Sequence, residues 1–362
     1  MEMLKGFLFS WIIGFYLVTI AVAQEDQSGF ISIDCGISAG SNYTDIITGL
    51  SYTSDVGYVS GGVNKSISPI YQTNALERQF LTLTSFPIGT KNCYTLTPAQ
   101  GKFGKYLIRA SFLYGDYDGN GKLPEFDLHI GENYWDTVTI SNASIPIRKD
   151  IIHTPSNDSI AVCLVKTDTT STPFISALEL RPLNVTTYRT VLNTSSLELY
   201  ARLNLGSLTN QSYRYSDDAY DRIWMPFQWD NKAIINTTQE VRENSYRVPS
   251  VVMSTAVTPD PLIATGDSVS FAWIAENMTD KYYMYLHFAE VLELQVAQIR
   301  EFNIYVNGNL FYGPVSPIYL STTTIYTVAP GIGTGRYDVV INKTATSTLP
   351  PLLNALEIYR EV

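Results

Sequence analysis

The sequence predicts an all-β protein, two tandem jelly-roll β-sandwich modules behind an N-terminal signal segment. Three observations carry that expectation: an internal repeat, many short strand patterns punctuated by turn dipeptides, and weak helical periodicity throughout. The repeat is the strongest. Lys105 to Trp135 reads KYLIRASFLYGDYDGNGKLPEFDLHIGENYW, and Lys281 to Phe311 reads KYYMYLHFAEVLELQVAQIREFNIYVNGNLF. Both open on Lys-Tyr, run apolar to a Phe (Phe112, Phe288), cross a loop and enter a Glu-Phe strand, at a constant offset of 176 residues. A third landmark, Ser-Ala-Leu-Glu-Leu at 176–180, recurs as Asn-Ala-Leu-Glu-Ile at 354–358, two residues out of step.

The remaining strands follow in order. Segments 31–34, 106–114, 126–130 and 160–165 alternate or run apolar, as do 270–275, 282–288, 302–306 and 337–341. Between them lie Gly61-Gly62, Asp118-Gly119, Asn120-Gly121 and Asn307-Gly308, which are hairpin and turn chemistry. The strand pattern breaks between Arg181 and Leu197. The modules are therefore expected at 28–182 and 198–360, with a linker at 183–197. A chain of 362 residues suits two domains of about 150–200 residues each.

Residues 1–23 read as a signal peptide: Lys5, an uncharged run from Gly6 to Ala23, and an A-x-A cleavage pattern at 21–23. The run is also long enough to serve as an uncleaved anchor, so membrane attachment is the alternative to secretion. Ten Asn-x-Ser/Thr sequons agree with the secretory route: Asn42, Asn64, Asn142, Asn157, Asn184, Asn193, Asn210, Asn236, Asn277 and Asn342. Cys35, Cys93 and Cys163 all lie in the first module. One bridge with a spare thiol and three packed thiols both fit, and three pairings are open. A net charge of −10 argues against nucleic acid and anionic membrane surfaces as partners.

A run of motifs carries a resemblance: Gly29–Gly36 (GFISIDCG), Asn92-Cys-Tyr94, Tyr106–Ala110 (YLIRA), Tyr114–Gly119 (YGDYDG), Pro173–Pro182 (PFISALELRP) and Tyr220–Trp224 (YDRIW). In this order they resemble the malectin-like ectodomain of plant leucine-rich-repeat receptor kinases over about residues 28–360. The resemblance implies two malectin-type sandwiches at a cell surface. Those receptors continue into leucine-rich repeats, a membrane helix and a kinase. This chain stops at Val362 and carries no G-x-G-x-x-G, His-Arg-Asp or Asp-Phe-Gly signature, so the expectation is an ectodomain that binds, competes or scaffolds.

The candidate ligand site is the loop carrying Tyr114, Asp116, Tyr117 and Asp118, with Trp135 nearby. Sugar rings stack apolar faces on aromatics while carboxylates accept from their hydroxyls. The resemblance adds that animal malectin uses aromatic loop residues at one sandwich edge to bind a glucosylated N-glycan. The competing reading is a tight turn packed on the sandwich rim. Asp116-x-Asp118-x-Asn120-Gly121 with Asp127 approaches calcium-loop spacing, but Asp127 is too short for the usual bidentate Glu, Pro124 blocks an exit helix and both flanks read as strand. No metal or cofactor is expected. Arg222 and Trp224, in the cluster Tyr220 to Trp229, are a second candidate site; the simpler reading is a corner where Asp221 and Arg222 satisfy one another. Glu179 and Glu357 occupy equivalent places near the module ends, which suggests a shared structural role, and no catalytic signature appears. The expected function is non-enzymatic extracellular recognition of a cell-wall or N-glycan oligosaccharide. The alternative is a co-receptor module that binds a secreted peptide or receptor ectodomain without sugar affinity.

Overall fold

Two copies of one strand order form the framework of the chain. The computed structural model describes residues 27–192, 194–260, 268–330 and 335–362; the signal segment expected at 1–23 and the sequon at Asn193 lie outside them. In the first copy Ile31–Asp34, Ala177–Leu183, Lys105–Phe112 and Ile147–His153 lie side by side, opposed by Lys91–Leu96, Ile160–Lys166, Glu125–Ile130 and Asn133–Thr139. The second copy repeats both orders, with Leu197–Leu205, Ala355–Glu361, Tyr282–Phe288 and Thr323–Tyr326 opposed by Ser268–Ile274, Arg336–Lys343, Phe302–Val306 and Asn309–Val315. The all-β fold and its tandem repeat are those expected from the 176-residue offset.

The two copies share a sheet. Ile147–His153 pairs antiparallel with Leu197–Leu205, Ile151 opposite Glu198 and Ile152 opposite Leu197, so one 11-stranded sheet runs through both. An open strand edge invites pairing with any passing strand, and here each copy closes an edge of the other. Both ends of the connector at 184–196 are tied into that sheet. All eight residues of Lys105–Phe112 are buried, because each face of this strand has its own cover. Tyr106, Ile108, Ala110 and Phe112 enter the first sandwich core with Tyr94, Phe126, Leu128 and Trp135. Leu107 joins Tyr188, Trp224, Tyr246, Tyr283 and Tyr285 in a separate cluster at the junction of the copies.

Of the pairings left open by the sequence, Cys93–Cys163 forms, between residues directly opposite on neighbouring strands; Cys35 is free and buried. Closing a separation of 70 residues restricts the unfolded chain by about 4 kcal/mol on the chain-entropy account. The nine described sequon asparagines (42, 64, 142, 157, 184, 210, 236, 277 and 342) are all exposed, as glycan attachment requires.

At the seam Glu198 shares a hydrogen bond with Asp136 of the first copy, while Lys149 contacts Asp136 and Arg360 pairs with Glu198 at 2.9 Å and with Glu276 at 3.0 Å. Burial, reinforced by Asp136, raises the Glu198 carboxyl from 4.5 to about 8. A raised carboxyl contributes stability that is whole below pH 4.5 and is lost as pH climbs through about 8. Burial pushes His153, hydrogen-bonded to Ser196 at 2.8 Å, from 6.5 down to about 4; its contribution is whole above pH 6.5 and is lost on acidification through about 4. Denaturant midpoints measured against pH should therefore fall between pH 6.5 and 8, and Glu198→Gln should flatten that decline. An unchanged slope in the variant would remove Glu198 as its source.

Candidate ligand-binding site

The loop after Lys105–Phe112 turns back on itself. The φ of Gly115 is +47°, and a Cβ there would meet the Ile67 Cβ at 2.5 Å, so only glycine fits. The buried Tyr114 donates its hydroxyl to Asp118 at 2.6 Å and to Asp116 at 3.2 Å. Asp116 also accepts from the Gly121 N–H and Asp118 from the Asn120 N–H. Tyr117 is half-buried, its ring 5.3 Å from Phe174 and its hydroxyl 3.2 Å from Ser85 Oγ. The carboxylates thus face their own loop's donors. Asp127 lies on a strand and accepts from Thr137 at 2.6 Å. Among the described residues no cluster of three or more His, Cys, Asp or Glu side chains is arranged to hold a metal.

The other sequence candidates are not brought to that loop's surface. Trp135 is fully buried in the first core. Arg222 and Trp224 are fully buried too, in a network of charges between the copies. Arg222 pairs with Asp218 rather than with its neighbour Asp221, at 2.9 Å, and Trp224 donates to the same carboxylate at 2.7 Å. The Tyr188 hydroxyl accepts from Arg222 and donates to Glu357, each at 2.7 Å. Arg202 binds Glu357 at 2.7 Å and reaches Asp150 at 3.2 Å. Asp150 in turn takes Arg109 in a two-pronged contact at 2.8 and 3.0 Å. Beyond it, Asp221 receives Arg181 and Arg214 at 2.8 Å each, and Glu179 receives the same two at 2.8 and 2.9 Å.

Five arginines (109, 181, 202, 214, 222) meet five carboxylates (150, 179, 218, 221, 357), so the charge closes to zero inside the protein. Burial pulls the Asp150 carboxyl up, but the Arg109 and Arg202 guanidiniums outweigh it and hold the group below its usual range. Glu179, Asp221 and Glu357 are held down against burial in the same way, Glu357 with a contribution from His287. Depressed carboxyls contribute stability that is whole above their unfolded pKa and is lost as pH falls through the lowered folded one, so Asp150, Glu179, Asp221 and Glu357 favour the folded state at neutral pH and lose that contribution on acidification. The shared structural role expected for Glu179 and Glu357 is met here: each also accepts a tyrosine hydroxyl at 2.7 Å, from Tyr52 and Tyr188.

A surface site that the sequence did not reveal lies on the second sandwich. Phe227, Trp229, Phe271 and Trp273 form a row with ring centres 5.9, 6.0 and 6.3 Å apart. They line a groove of 670 Å³ with Tyr200 and Arg336 at its rim. Phe227 and Tyr200 are exposed, and Trp229 and Phe271 half-buried. Trp273 also borders a smaller cavity of 230 Å³ that adds the amides of Asn307 and Asn309. Trp229, at the end of the Tyr220 to Trp229 cluster, was the one local signal.

The malectin-like domain family matches residues 33–361, and this chain belongs to it. The receptor-like serine/threonine-protein kinase IOS1 of Arabidopsis thaliana, an LRR receptor, is 41% identical over 349 residues, 95% of this chain and 38% of its own length. The chain thus spans about two fifths of the curated relatives it matches. Among solved structures, the plant receptor-like kinase FER superposes with a TM-score of 0.73 at 20% identity, over 92% of this chain and 96% of that one. A complex of the plant peptide RALF23 with FER and LLG2 matches at a TM-score of 0.70 and 17% identity, over 93% and 96%. These structures share the fold.

Asp150 is the carboxylate that joins the two halves of the network, which makes it the position to change. Asp150→Ala would leave Arg109 and Arg202 facing one another in the interior, at a cost of about 3–5 kcal/mol in urea unfolding. Asp338→Ala, which breaks the exposed pair with Arg336, should cost less than about 1 kcal/mol. Equal losses at the two sites would contradict the assignment.

Proposed function

We propose that the chain is an extracellular, non-catalytic recognition ectodomain of the receptor-kinase type, and that its second sandwich takes an oligosaccharide in the aromatic groove. The observation that carries this is the row of exposed Phe227 and half-buried Trp229 and Phe271, continued by the buried Trp273 to the cavity with the Asn307 and Asn309 amides. Aromatic rings offer flat apolar faces to sugar C–H groups, and amides both donate to and accept from hydroxyls. A glycosidase needs two carboxylates flanking its cleft, and the described lining of both cavities contains neither Asp nor Glu. The sequons, the Cys93–Cys163 bridge and the 1–23 segment support passage through the secretory route and a place at the cell surface.

A second reading is a peptide or co-receptor module without sugar affinity. It is favoured by the inward-turned carboxylates of the 114–121 loop and by the structural neighbour that was crystallised with a peptide and LLG2.

An oligosaccharide array covering wall glycans and glucosylated N-glycan fragments, probed with the secreted chain, separates the two. Saturable binding is expected, weakened about tenfold or more by Trp229→Ala or Phe271→Ala and unaffected by Tyr117→Ala. Loss through Tyr117→Ala alone would return the site to the first module's loop. No binding by folded, monodisperse protein would remove the sugar reading and leave the peptide reading.

A further inference from the structure

The repeat supplies an internal comparison at its first residue. Lys281 immediately precedes its strand with a side chain 54% exposed, and its ammonium lies 3.8 Å from the Glu361 carboxylate. Its counterpart Lys105 occupies the equivalent place, but there the facing residue is Leu183. Lys105 is only 8% exposed, and among the described residues no carboxylate lies within ion-pair distance of it. Two of its three N–H donors go to backbone carbonyls, of Thr187 at 2.6 Å and Tyr188 at 2.8 Å. A buried cation without a counter-charge is costly and rare unless something supplies the charge. Burial, with Arg189 adding repulsion, pushes the Lys105 ammonium down to about 8, whereas every other deeply buried cation in the chain described above sits among carboxylates.

Lys105 forms one wall of a 580 Å³ cleft at the junction of the copies, with Phe103, Ser156, Val185, Arg189 and Thr194. Arg189 is exposed there and, among the described residues, makes no ion pair. Lys102, the neighbour of Phe103 in the chain, adds a third cation 5.7 Å over the Phe103 ring, and its backbone N–H donates to Asp158 at 3.1 Å. Phe103 is 68% exposed at a φ of +65°, a conformation that non-glycine residues adopt only when held there. Val185, in the same lining, is 55% exposed, and Val191 and Leu192, at 60% and 66%, follow Arg189 along the connector. In a chain with a net charge of −10, three cations beside an exposed apolar rim stand out from the rest of the surface.

We propose that this cleft binds a peptide through a carboxylate held between Lys105 and Arg189, with an adjoining apolar side chain laid against Phe103 and Val185. The remaining donor of Lys105 and the planar fork of Arg189 are complementary to a carboxylate. The aliphatic rim suits a Leu or Phe side chain. The described lining offers sugar hydroxyls no side-chain carboxylate or amide, only the hydroxyls of Thr154, Ser156 and Thr194, so an acidic saccharide fits it less well. The site is separate from the aromatic groove and stands whether or not the groove binds sugar.

The probe is the acetylated tetrapeptide Gly-Gly-Glu-Phe as its free acid, alongside its C-terminal amide and the Gln-for-Glu form of each, titrated into the secreted chain by calorimetry. The protein is used both glycosylated and after enzymatic removal of N-glycans, since the sequons at Asn157 and Asn184 adjoin Ser156 and Val185. Saturable binding is expected for probes that keep a carboxylate, and the amide and Gln forms assign it to the terminal or the side-chain group. Arg189→Gln, a surface change, should weaken binding about tenfold, and Lys105→Met should abolish it. Lys281→Met and Phe271→Ala should leave it unchanged. Lysine Nζ NMR should show the Lys105 ammonium titrating higher when the peptide is bound; if Lys105→Met fails to fold, this reading and Arg189→Gln carry the test. Binding that survives Arg189→Gln, equal binding of the doubly neutral probe, or binding of a uronic-acid oligomer but of no peptide would each overturn the proposal.

Discussion

The buried chain of guanidiniums and carboxylates between the copies is the constraint on which the rest of the structure depends. Moving ten charges out of water costs several kcal/mol each before any pairing is counted. The cost is offset only because almost every donor of each arginine meets an acceptor: Arg109 reaches Asp150, Glu179 and the Asp221 carbonyl, and Arg181 adds the Ile31 carbonyl. Hydrophobic residues of the same volume could have filled the space at less cost. What they could not supply is direction. A planar guanidinium donates its hydrogen bonds only in its own plane, so the network fixes the angle at which the first copy's sheet meets the elements of the second.

That fixed angle matters for recognition. The aromatic groove opens on the second sandwich, and the cationic cleft opens where the copies meet. The cleft is lined by Phe103, Lys105 and Thr154–Ser156 of the first copy and by Val185, Arg189 and Thr194 of the connector, so its shape depends on how the connector is held against the first sandwich. The continuous sheet and the ion network together hold those walls in place.

Much of the fold was legible in the sequence, because a repeat at constant offset preserves the order of strands and loops that form a sandwich. Strands covered on both faces, such as Lys105–Phe112, were visible as apolar runs, and the equivalence of Glu179 and Glu357 hinted at the network. The rest was hidden for physical reasons. Arg109, Arg181 and Arg202 lie on three different strands and Arg214 on a loop, so no local spacing announces that they converge. Arg222 and Trp224 were misleading for a related reason: an arginine among aromatics is what a ligand site and a buried ionic corner both require, and only burial separates them. The groove escaped notice because Trp229, Phe271 and Trp273 come from segments that the sheet brings together. The isolation of Lys105 shows only when its copy Lys281 is seen beside a carboxylate.

The copies therefore behave as variations on one scaffold, joined so tightly that they should unfold as one. Differential scanning calorimetry of the purified chain tests this most directly. A single transition whose calorimetric and van't Hoff enthalpies agree is the expected result, because breaking the seam exposes unpaired charges on both sides. Two separate transitions, or a calorimetric enthalpy about twice the van't Hoff value, would mean that the sandwiches fold independently and that the network does not bind them together.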